Sequence, residues 1–70
     1  MRIEYLQTPV MVGRIAVVGY DQSTEEPMID MGGGSVRAGT VLRNCAEWGE
    51  DPPFSQADYL KMRAATQELQ

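Results

Sequence analysis

Seventy residues with a net charge of −4, a single cysteine and no histidine describe one small domain and exclude several chemistries together. Cys45 has no partner for an internal disulfide, zinc sites of the Cys/His type are ruled out, and the negative balance disfavours direct binding to nucleic-acid phosphates. A chain of this length buries only about 60% of the surface its unfolded form exposes, so a well-packed monomer, a second subunit or a partner must supply the stability margin.

A hydrophobic fraction of 43% is ordinary for a globular chain and argues against disorder. A lone free cysteine fits a reducing compartment. The N-terminus does not read as a signal peptide, because Arg2 is followed by Glu4 and the apolar stretch is cut by Pro9, Gly13 and Arg14. No apolar run approaches the roughly 20 residues that span a bilayer. The expectation is a cytoplasmic domain with no membrane contact.

In chain order, Arg2 to Gln7 alternates enough for a short strand, with Ile3 and Tyr5 on one face. Thr8-Pro9 interrupts it, since proline cannot donate to a sheet ladder. Val10 to Tyr20 carries Val10, Val12, Ile15, Val17 and Val18 and is expected to be the central strand, with a bulge or bend at Gly13 and Gly19. The polar run Asp21 to Glu26 is expected to turn the chain. Pro27 to Met31 then pairs with Ile15 to Tyr20 as a hairpin. Gly32-Gly33-Gly34-Ser35 is expected to be loop, because three glycines are entropically costly in a regular element.

Arg37 to Glu50 is ambiguous. Wound at helical pitch from Ala38, the residues Val41, Leu42, Cys45, Ala46 and Trp48 fall within about 160° of arc. Thr40 is a candidate N-cap and Gly49 a candidate stop. Val41 and Leu42 would equally suit a strand, and the helix is preferred. The clearest local signal follows Pro52-Pro53. Ser55-Gln56-Ala57-Asp58 has the form of a capping box with Asp in the third place after the cap, and Phe54 and Tyr59 stand at the staple positions. Strong helix formers run on from Leu60, so a helix is expected from about Ser55 to Glu68. The fold class expected is α+β: a small antiparallel sheet of about three strands from residues 2–31, packed with one or two helices.

Few constellations carry chemistry. Gly34-Ser35-Val36-Arg37-Ala38-Gly39-Thr40 has the glycine spacing of a phosphate-binding loop, but the lysine before the threonine is missing and with it the chemical centre. A linker between hairpin and helix is the preferred reading. Cys45 lacks a histidine base and sits among apolar positions, as a small hydrophobe does. Neither catalysis, a metal nor a cofactor is expected.

Two features point instead to binding. Asp21, Glu25, Glu26 and Asp30 occupy a stretch with no basic residue, and Glu47, Glu50, Asp51 and Asp58 make a second. Glu25 and Glu26, placed in an exposed turn, are candidate contacts for a basic partner. On the last helix, Tyr59, Met62, Thr66 and Leu69 form one stripe, while Ala57, Leu60 and Ala64 form another on nearly the opposite side. The second stripe is a candidate docking surface. The reading is a small acidic protein-binding module of the kind that phage or mobile elements use as inhibitors or regulators. The alternatives are a homo-oligomeric subunit, a homodimer in the simplest case, and an acidic mimic of DNA aimed at a nucleic-acid-binding protein.

Overall fold

The computed structural model describes residues 2–68. The order of elements is β1 (Ile3–Val12), β2 (Ile15–Asp21), β3 (Glu26–Asp30), β4 (Ser35–Arg37), α1 (Ala38–Trp48) and α2 (Gln56–Glu68). The four strands form one antiparallel sheet in the order β1-β2-β3-β4. The fold is α+β, with one strand more than the sequence suggests.

The β-branched residues explain the sheet's inner face. Ladder partners share a face, and Val10 pairs with Val17, Val17 with Ile29, and Val12 with Ile15. Val17 and Ile29 are completely buried. They join Val12, Ala38 of α1, Phe54 and Met62 of α2 in the core, with Ile15, Val41, Leu42 and Tyr59 packed at its margin. Both helices therefore lie on this face.

Val10 to Tyr20 is not one strand. Val12 and Ile15 are paired, so Gly13 and Arg14 make a two-residue turn, with Gly13 at φ 61°. β1 runs on through Thr8-Pro9, where its pairing with β2 breaks: four residues, Leu6 to Pro9, stand against one, Val18. Proline is tolerated there because β1 is an edge strand. A second irregularity lies between Val17 and Gly19 of β2, opposite β3. Such irregularities bend a sheet, and the bend is visible in one contact. The Tyr5 hydroxyl lies 3.3 Å from Ser35 Oγ, joining the first strand to the last. Edge strands of a flat four-stranded sheet would stand about 14 Å apart, further than these two side chains reach.

The glycine run is loop only to Gly34; Ser35 already belongs to β4. The ambiguous segment is a helix, and its cap is not Thr40. Helix α1 begins at Ala38, with Arg37 in extended conformation before it and no capping bond from its own side chain. Its far end stops as expected. Gly49 adopts φ 69°, its amide donates to the Ala46 carbonyl, and the Glu50 amide donates to Cys45. This is the paired closure that a glycine in left-handed conformation permits.

α2 starts where the capping signal put it. The Asp58 amide donates to Ser55 Oγ at 3.1 Å, and the Tyr59 amide to the Ser55 carbonyl at 3.0 Å. Met62 and Thr66 are fully buried. Leu69, placed on the same stripe by the sequence, lies outside the described residues.

Two stability measurements check this core. Val17→Asp should cost several kcal/mol, because it places a charge where no solvent reaches; a variant melting like wild type would refute the central position of Val17. Ser55→Ala should lose about 1 kcal/mol, a drop of several degrees in melting temperature for a domain of this size.

Candidate functional site

Glu26 opens β3 and is half-buried. Its Oε2 accepts the Gly39 amide of α1 at 3.3 Å. The Tyr59 hydroxyl of α2 donates to Oε1 at 3.0 Å, with Oε2 at 3.2 Å. The carboxylate thus supplies the N-terminal acceptor that Arg37 does not, and a negative charge there also suits the helix dipole. Gly39 makes the approach possible: a Cβ there would stand 2.7 Å from Glu26 Oε2 and 3.1 Å from the Tyr59 hydroxyl. Burial, then the bond to Glu26, pushes the Tyr59 hydroxyl pKa up from its ordinary value.

A second pair stands beside the first. Asp21 ends β2 with 1% of its surface exposed, and its Oδ2 accepts Arg37 Nη2 at 2.7 Å. Oδ1 accepts the Ser23 amide at 2.9 Å, and the Asp21 carbonyl accepts the Glu25 amide at 2.7 Å, closing the turn. The hydrogen bond from Arg37, then that from Ser23, holds the Asp21 carboxyl below its ordinary pKa against the opposing effect of burial. Between the two pairs lies an open polar recess of about 500 Å³ that includes Thr24, Thr40 and Arg43.

These bonds correct the acidic-surface reading. Glu26 does not sit in an exposed turn, and Asp21 is not at the surface. Both carboxylates are engaged within the molecule, because the turn that gathers them also brings them against Arg37 and the start of α1. Glu25 is exposed, at φ 61°, and Asp30 is exposed with its Oδ1 accepting the Gly32 amide at 2.8 Å. A double reversal at Glu25 and Glu26 would therefore break the fold's own bonds as well as any surface contact. The phosphate-loop spacing has no loop to act through: after Gly34 its residues are divided between β4 and α1, and the Gly39 amide is given to Glu26.

The structure leaves the second set of candidate residues at the surface. Ala57, Leu60 and Ala64 are all exposed on α2, Leu60 at 57%, on a helix whose Met62 and Thr66 are fully buried. Sequence reasoning missed an addition on α1. Trp48, counted there among the inward apolar residues, is 67% exposed. Burial fades along the helix, from Ala38 at 0% through half-buried Val41, Leu42 and Cys45 to Trp48 in its last turn. Helical phase alone turns Trp48 inward, and its exposure depends on how far the body extends beneath α1, which no local pattern encodes. Comparison with known protein families, with curated proteins and with solved structures returns no match to this chain. Among the described residues, no helix is long and apolar enough to cross a membrane.

The Asp21–Arg37 pair makes a pH prediction. A carboxyl with its folded pKa below 3.8 contributes stability that is complete well above that value and is lost as pH falls through and below it. Melting temperature should drop between pH 5 and pH 3, and Asp21→Asn should show a shallower drop from a lower neutral-pH value. Equal acid sensitivity in the two proteins would assign the effect to other carboxylates.

Proposed function

We propose that this is a small acidic protein-binding module, acting in the cytoplasm as an inhibitor or regulator by contact rather than by catalysis. The observation that carries the reading is Leu60. It is a large apolar side chain, more than half exposed between Ala57 and Ala64, on a helix whose opposite side already completes the core. One exposed leucine is unremarkable in a monomer. A leucine set on a smooth alanine strip admits a second helix at close range, and Trp48 adds an exposed residue of the type that dominates interface energetics. The net charge of −4 favours a partner with a basic rim.

Self-association through the same surface is the competing reading, and one substitution addresses both. Leu60→Asp should leave the melting temperature within a few degrees of wild type, since Leu60 contributes little to the core. It should abolish either capture of a partner identified by mass spectrometry or the dimer seen by sedimentation, and which of the two is lost decides between the readings. Retention of every wild-type association would remove α2 from the interface.

A further inference from the structure

A different surface, at the opposite margin of the core from α1, carries a second site. β1 is the sheet's edge, and among the described residues no strand or helix pairs with its outer side. The Gln22 amide donates to the Arg2 carbonyl, which fixes the alternation at that end. Arg2 and Glu4 turn their backbone groups towards β2, so Ile3 and Tyr5 turn theirs outward. At the other end the tight turn pairs Val12 with Ile15, which leaves the Met11 backbone facing outward. Natural edge strands are blunted by charge, proline, bulges, brevity or cover. β1 is ten residues long with Glu4 its single charged side chain; Pro9 and the bulge blunt its middle, while Tyr5 and Met11 on either side are 64% and 60% exposed.

Where β1 parts from β2, a recess of about 350 Å³ opens beside the strand. Its walls include Tyr5, Leu6, Val10 and Tyr20, and Glu4 is the single charged group among the described residues that line it. An aromatic and aliphatic wall under a carboxylate fits the stem and head of a lysine or arginine. We propose that β1 takes an extended basic segment of a partner protein as a fifth strand. Main-chain hydrogen bonds run to the outward groups of Ile3, Tyr5 and Met11, and one lysine or arginine of the segment enters the recess towards Glu4. The occupant is a basic strand rather than a second copy of this chain, because β1, the edge a second copy would bring to this one, carries no lysine or arginine to meet Glu4. Strand addition of this kind draws affinity from the backbone and specificity from a side-chain pocket.

The test pans a displayed library of randomised ten-residue peptides against the intact domain. Enriched peptides should carry lysine or arginine between β-branched or aromatic residues. Their binding should slow amide exchange at Ile3, Tyr5 and Met11 while leaving Glu4, already paired with β2, unchanged. Glu4→Gln should weaken binding by about tenfold, and Met11→Pro, which deletes an outward donor, should do the same in a protein whose melting curve confirms its fold. Leu60→Asp should bind as wild type does, so failure of the α2 reading leaves this one standing. Failure to enrich any peptide, enrichment without basic residues, or binding lost in Leu60→Asp and untouched by Glu4→Gln would each overturn it.

Discussion

The carboxylate of Glu26 is bonded at once to the first turn of α1 and to the hydroxyl of Tyr59 on α2, while its own backbone belongs to the sheet. Each helix alone has reason to drift. α1 lacks a side-chain cap of its own, and α2 is held by a modest set of inward residues. A half-buried acceptor shared between them fixes both against the sheet in a medium where each bond is stronger than in water. The arrangement has an alkaline limit as well. Because Tyr59 loses its proton less readily in the fold than free in solution, its contribution falls away as pH rises above 10.

Asp21 and Arg37 act one step further along the same edge. They tie the turn between β2 and β3 to the junction between β4 and α1, so a strand of only three residues is held at its C-terminal end. The same placement governs the surface. Carboxylates that would enlarge an acidic patch are drawn inward, and the exposed outer strip of α2 is left as a chemically plain, apolar feature.

Much of this was legible from local signals. Ser55 and its flanking Phe54 and Tyr59 marked the start of α2 because capping is a matter of nearest neighbours, and Gly49 marked the end of α1 for the same reason. The split of Val10 to Tyr20 was not legible: a β-branched run reads alike as one strand or as two joined by Gly13-Arg14, and the pairing partner decides. β4 was hidden behind three glycines and is too short for periodicity to register. The roles of Asp21, Glu26 and Arg37 depend on residues 13 to 33 positions away, and no local pattern encodes such distances. On the candidate surface, Leu60 followed from helical geometry alone, whereas Trp48 required knowing where the sheet beneath α1 gives out.

The meander order of the sheet has a kinetic corollary. Each strand pairs only with its neighbour in sequence, so the ladders close over short loops, and closing them loses little chain entropy. A chain built this way should form its hairpins early and quickly. The links that span the sequence are of another kind: Tyr5 to Ser35 across 30 residues, and Glu26 to Tyr59 across 33. They join elements that must already exist, so they act as latches closed late in assembly. Of the two, the Glu26–Tyr59 latch is the one whose loss would let α2 lift from an intact sheet.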